Sequence, residues 1–446
     1  MHNLHFVAGV TALAMLSGCS LLSQTGKTVM GGGLVVGDEP NAVEAGVAAL
    51  AHGGNAVDAV TATYFALSVA YPVAGGLGGG GLCIVHDSVL GKTEAFDFLA
   101  REARRGGEYA VPGNVSGFSL IQGAFGRLPW QRLISPAEGS AAAGFAISQA
   151  LAMRLTESQD VIRLDAGLAS EFLDESGQVK PAGTIVTAPA LAQTLSAIRS
   201  NGISGFYRGS IADNIVAYSS TEGGAITTDE LASYRPRREG PTQTHVGDQT
   251  VYLPPAGTGA GKFAATLLSY LVDTEGHPSA EKKLAAATAS ATKEALDAYG
   301  IRSLPRDLGA TGFAAADREG QAAACAVTMN GPFGSGRTAG TTGVTLARAP
   351  GDAKVGLAAA FLTPVVAISA GAVSLSGAGA GGPNGTAGIA LALLKLARGQ
   401  DVTHPGTQAS TGIAPYDTVN VIGCQNDICT ALPDPGAYGL GAAAGS

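Results

Sequence analysis

Charge is scarce in this chain: Asp, Glu, Lys and Arg supply only 14% of its 446 residues, and the formal net charge is −8. A nucleic-acid surface needs clustered Lys and Arg, so nucleic acid is not an expected partner. Cysteine is sparse as well, with 5 residues, and no spacing among them is that of a zinc or iron–sulfur site. The apolar run at residues 6–16, FVAGVTALAML, falls short of the ~20 residues that anchor a chain across a bilayer. Glycine is what the chain has in plenty, 65 residues, spread among apolar periodic segments rather than set in a repeat. That combination reads as an ordered globular protein with many tight turns and small-residue contacts. By length alone it has room for two or three domains.

The apolar run ends in Leu16-Ser17-Gly18-Cys19, which is similar to a bacterial lipoprotein signal, although the leading MHNLH carries no Lys or Arg. The resemblance implies a signal peptide over residues 1–19 that ends at a lipidated Cys19, then a linker over 20–30. With Ser20 next, it implies retention in the cell envelope, lipid-anchored at the outer membrane and facing the periplasm. An ordinary secretory signal with a chance cysteine is the alternative. Export permits disulfides. Cys424 and Cys429, in CQNDIC, are placed to close a small loop, whereas Cys83 and Cys325 lie in apolar strand-like runs and read as buried thiols.

Beyond residue 30, strands and helices mix. A strand begins at residues 33–36 and a helix of small residues follows at 44–50. HGGNAVDAVTATYFALSVAYP has a glycine turn, Asn55 as helix N-cap, and a nearly all-apolar helix that must be buried on most faces. GGLGGGG then brings the backbone close before a buried strand at 82–86 and its partner in GKTEAFDF. Residues 115–192 are mostly helical, and Thr228-Asp229 begins a short helix. Strand patterns return at 249–253, 313–316, 322–328, 364–369 and 372–376, before a last helix at 388–396. Hairpin connections late in the chain point to a layered α/β or α+β architecture rather than a doubly wound sheet.

HGGNAVDA, GGLGGGG, VPGNVSGF, FGRLPW, GFYRG, LASYRP and NGPFGSG, in that order, resemble motifs of the γ-glutamyltranspeptidases. The likeness spans about residues 30–400. It implies an α+β N-terminal-nucleophile (Ntn) hydrolase fold, a four-layer αββα sandwich forming a single domain over residues 31–446. Residues 31–309 would match the large subunit of such an enzyme and 310–446 the small one. Members of the family cleave themselves before a threonine, whose hydroxyl then attacks γ-glutamyl compounds such as glutathione. The base is the freed α-amino group, ordinarily with a pKa of about 7.7–8.0, and no metal or organic cofactor is needed.

In that family the nucleophile opens a strand reading T-T-H-[FY]-S-hydrophobic-hydrophobic-D. Fixing Asp317 of ATGFAAAD to the last position puts Ala310, which has no hydroxyl, at the nucleophile. Thr311 takes the second threonine, and a shift of one residue would turn it to the opposite strand face unless a bulge intervened. Thr328 and Asn330 match the threonine and asparagine that support the nucleophile and hold substrate. Gly381 and Gly382 match the paired glycines that shape the oxyanion hole. Ala360-Phe361 stand where two serines would grip the α-carboxylate. Arg101-Glu102 correspond to a carboxylate-binding Arg-Glu pair only across two extra residues, Leu99-Ala100, and Asp352 is the nearest candidate to bind the α-amine. The segments 105–111 and 275–309 are short for the family.

Two functions are expected as alternatives, beside a third reading of a structural envelope lipoprotein that binds no ligand. One is an envelope lipoprotein with a degenerate site, uncleaved and with little or no γ-glutamyl transfer. The other is a divergent γ-glutamyltransferase or glutathione hydrolase cleaved before Thr311. A γ-glutamyl peptide such as glutathione is the ligand the resemblance suggests, and the membrane is a partner through the lipid at Cys19.

Overall fold

The computed structural model describes residues 27–29, 31–271, 280–402, 416–426 and 428–445. The apolar run and the expected lipidation site Cys19 lie outside the described residues. Lys27–Val29, inside the segment expected as a linker, forms an edge strand against Ile428–Leu432.

Two seven-stranded sheets, each paired antiparallel throughout, carry the fold. One runs Leu440–Ala443, Leu34–Gly37, Ala310–Ala316, Ala322–Thr328, Gly80–Asp87, Lys92–Asp97 and Arg237–Glu239 in spatial order. The other runs Lys27–Val29, Ile428–Leu432, Thr418–Gln425, Ala372–Ala380, Thr363–Ser369, Gln249–Leu253 and Thr242–Val246. The sheets stack face to face through alanine, valine and leucine. Small residues let them approach closely: a Cβ added at Gly312 would lie 2.9 Å from Ala378.

Helices close both outer faces, giving the four layers. Over the first sheet lie Pro40–Ala51 and Ala56–Ala70, with further helices beyond them. The second of these has every residue buried, and its start is fixed by a capping box between Asn55 and Asp58. Its apolar surface on all sides is satisfied by layers above and below, as in Tyr64 stacked 4.1 Å from Phe118. Over the second sheet lie Gly259–Ser269, Ala280–Ala298 and Pro383–Ala397.

One sequence expectation is corrected. Cys83 and Cys325 are not thiols; they face each other on neighbouring strands and form a disulfide. Their separation of 242 residues hid a pairing that the strand register makes direct. Cys424 and Cys429 also pair, across the hairpin of Thr418–Gln425 and Ile428–Leu432.

Candidate active site

The strands Ala310–Ala316 and Ala322–Thr328 set the local geometry. Ala310 lies directly opposite Thr328, and residues so paired project to one face. The Ala310 methyl is fully buried among Leu82, Ala260, Ala326, Leu362, Ala378 and Ala380. Thr311, one residue on, turns to the other face and is equally buried. Its Oγ1 donates to Asp38 Oδ2 at 2.6 Å.

The turn before Ala310 is tightly held. Gly309 N donates to Asp307 Oδ1 at 2.7 Å, and Met329 N donates to Gly309 O at 2.8 Å. Gly309 sits at φ 59°, where a side chain would collide with the backbone of Gly331. Thr328 Oγ1 is 3.1 Å from the carbonyls of both Leu308 and Gly309 and accepts from Asn330 N at 2.9 Å. The Thr328 hydroxyl thus rests on the peptide that precedes Ala310.

A polar cluster surrounds this turn. Asp38, immediately after Leu34–Gly37, accepts from Thr311, from Thr418 Oγ1 at 3.0 Å and from Asn420 Nδ2 at 2.7 Å. Burial pushes its carboxyl above the usual range, against those hydrogen bonds. Asn420 Nδ2 also reaches Gly312 O at 2.9 Å, tying the two sheets together. Arg154 is 1% exposed, donates from Nη1 to Ala310 O at 3.0 Å, and pairs with Asp307. The rings of Tyr71 and Tyr416 flank its guanidinium at 5.4 and 5.3 Å. Burial disfavours the Arg154 charge, but Asp307 and Tyr71 outweigh it and the group stays firmly protonated.

The other candidate residues are placed as follows. Asn330, at φ 58°, donates from Nδ2 to Arg348 O at 2.9 Å, while its buried Oδ1 has no hydrogen-bond partner among the described residues. Gly381 and Gly382 precede the helix Pro383–Ala397; side chains there would collide with Tyr416 and Asp417, so packing alone already requires glycine. Ala360 and Phe361 are buried, with Phe361 edge-on to Phe263 at 4.7 Å. Arg101 is spent on Tyr234, 4.7 Å from its ring, and on the carbonyl of Arg235 at 2.9 Å. Asp352 is an exposed N-cap that accepts from Lys354 N at 2.8 Å. Thr328, Asn330 and Ala310 are therefore brought together, whereas Arg101 and Asp352 make contacts within their own segments.

Sequence reasoning passed over Asp38, Arg154 and Asp307. For Asp38 a signal existed, since GLVVGDEP sets two carboxylates at the end of an apolar strand. For Arg154 there was none, because its partners lie far along the chain. Among the described residues no group of three or more His, Cys, Asp or Glu is arranged to hold a metal.

Comparison with known proteins fixes the class and then the family. A cephalosporin acylase from Bacillus halodurans matches over 97% of this chain and 100% of its own, at TM-score 0.77 and 18% identity. The γ-glutamyltranspeptidase of Helicobacter pylori matches over 58% of this chain and 82% of its own, at TM-score 0.54 and 27% identity. The fold is that of the Ntn hydrolases. The Gamma-glutamyltranspeptidase family model matches residues 42–296. Glutathione hydrolase 2 of Arabidopsis thaliana is 33% identical over 263 residues, 55% of this chain and 45% of that protein. The glutathione hydrolase proenzyme of Escherichia coli K12 is 32% identical over 261 residues, 54% of this chain and 45% of that protein. This chain belongs to the γ-glutamyltranspeptidase family. It spans under half the length of these curated relatives, and the family-model match ends before Ala310.

Proposed function

We propose that this protein is a γ-glutamyltranspeptidase-family member with a degenerate active site, uncleaved and with little or no γ-glutamyl transfer. One observation carries the reading. The side chain beside Thr328 is the methyl of Ala310, while the hydroxyl of the adjacent Thr311 is bound to Asp38. An Ntn nucleophile needs its own amine as base and an open approach for the acyl group. Here the corresponding surface is closed by Ala260, Leu362, Ala378 and Ala380. Where two serines would hold an α-carboxylate, Ala360 and Phe361 pack into the core instead. Any peptide-like ligand retained from the family, of the glutathione type, would be bound rather than turned over.

The same reading places the protein in the cell envelope, lipid-anchored through Cys19 and facing the periplasm. Support comes from the Leu16-Ser17-Gly18-Cys19 sequence and from the two disulfides, which persist in oxidising compartments.

The alternative, a divergent enzyme cleaved before Thr311, has in its favour the pairing of Thr328 with Asn330 and an Asn330 Oδ1 that has no hydrogen-bond partner among the described residues. One experiment separates the two. Cells expressing the full chain are labelled with radioactive palmitate, and the membrane fraction is run on a denaturing gel and assayed with a γ-glutamyl anilide. A single labelled full-length band without turnover is expected. Two fragments divided near residue 310, with turnover abolished in Thr311→Ala, would establish the enzyme; an unlabelled protein would remove the anchor.

A further inference from the structure

The turns that join five strand pairs meet at one end of the sandwich, where Ser88, Asp248, Gly320, Ala370 and Asn426 line a single cleft. Ala316 lines it too, so this end lies about 20 Å along the strand from Ala310. Val89 and Leu90 stand at the tip of the turn between Gly80–Asp87 and Lys92–Asp97. They are 83% and 69% exposed, more than any other large apolar side chain among the described residues. Ala370, Ala372 and Ile428 are exposed on neighbouring turns. The charges nearby are engaged. Asp87 Oδ1 accepts from Val89 N at 2.9 Å and from Leu90 N at 3.0 Å, so both donors at the tip are satisfied within the turn. Arg127 and Arg318 pair with Glu319, Lys92 pairs with Glu94, and Asp248 accepts from Ser369.

We propose that this end docks on the bilayer leaflet that holds the lipid of Cys19, with Val89 and Leu90 inserted at the headgroup–acyl boundary. The proposal rests on the anchored reading above. The chain that follows the lipid enters the fold at this end, because Lys27–Val29 runs along the sheet edge towards the turn and pairs Val29 with Ile428. The eight residue steps from Cys19 to Lys27 reach at most about 28 Å, so the lipid holds the fold close to the leaflet. Exposed Val and Leu side chains gain by leaving water. A turn enters lipid only where its backbone donors have partners, and Asp87 supplies them here. Membrane attachment is firmest where two signals act together, and an apolar tip beside a lipid is such a pair. Ala310 and Thr328 then face away from the membrane, towards the periplasm.

The test places a tryptophan at either end of the full chain, as Leu90→Trp or as Tyr438→Trp. Tyr438 is exposed and precedes Leu440, which pairs with Gly37 at the end away from the cleft. Trp130 is the one native tryptophan and sets the background. Protein extracted from cell membranes is reconstituted with phosphatidylethanolamine–phosphatidylglycerol vesicles and floated on a density gradient. Its emission is then compared with and without bromine on the acyl chains near the headgroup. Flotation is expected, with at least about a twofold bromine-dependent loss for Leu90→Trp and none for Tyr438→Trp. Adding Val89→Asp to Leu90→Trp is expected to remove that loss without lowering the melting temperature. Flotation with neither reporter quenched, or with both quenched alike, would overturn the docked end and leave the anchor standing. A blue-shifted Leu90→Trp emission that ignores bromine would overturn it in favour of a second copy covering the tip. Failure to float would overturn anchor and docked end together.

Discussion

On the face of Ala310–Ala316 that meets the other sheet, Ala310, Ala314 and Ala316 pack against small apolar residues. Thr311, one residue on, bonds Asp38, which is also held by Thr418 and Asn420 of the second sheet, and the Ala310 carbonyl is held by Arg154. These polar groups hold the strand in place, and on the proposed reading the Ala310 methyl among its apolar neighbours stands where a nucleophile would act. On that reading the framework holds without a nucleophilic hydroxyl, because these bonds are made by the Ala310 carbonyl and by Thr311 rather than by the side chain at position 310.

The largest effect should follow from breaking that hold. Arg154→Met leaves the half-buried Asp307 without its cationic partner and the Ala310 carbonyl without its donor. A loss of about 3–5 kcal/mol is expected from urea unfolding. A loss below about 1 kcal/mol would mean the cluster is ornamental to the fold.

pH sharpens the same contrast through groups on several elements. Burial pushes Glu39, Asp417 and Asp434 each up to about 7, and Asp38 upward too. A carboxyl raised in the folded state binds more protons folded than unfolded between its ordinary value and about 7. Stability is then full below about 4.5 and falls as pH rises through 7, by up to about 1.4 kcal/mol per group per pH unit. Glu94, Glu138 and Glu319 shift the other way, being held by arginines, and change stability only below the ordinary carboxylate range. A melting temperature higher at pH 5.5 than at pH 8.5 is expected by calorimetry; the reverse order would contradict the buried placement of these acids.

The smallest effect separates the two roles of Thr311. Thr311→Val removes the donor to Asp38 and should cost about 1–3 kcal/mol in the same unfolding assay. On the proposed reading its chain length and any residual hydrolysis stay unchanged. Loss of a cleavage product in this variant would make Thr311 the nucleophile.

Local chemistry made much of this fold legible. Asn55 announced its helix, Ala322–Thr328 read as a strand end to end, and ordered motifs pointed to the family and to Ala310. The strand expected at residues 313–316 begins at Ala310, since glycine and alanine carry little strand signal before Phe313. What remained hidden depends on distance along the chain. The Cys83–Cys325 disulfide, the Arg154 bond to Ala310 and the Asp38 cluster each join residues more than a hundred positions apart. The occupied neighbourhood of Gly381-Gly382 was also invisible, because Tyr416 and Asp417 arrive from the segment that leads into Thr418–Gln425.

Intact-mass spectrometry of the full chain, extracted in detergent and aged at neutral pH, tests the central claim most directly. The account expects one species that runs unbroken through the Gly309–Ala310 and Ala310–Thr311 peptide bonds. A pair of fragments, the smaller beginning with Thr311, together with glutamate released from glutathione, would contradict it.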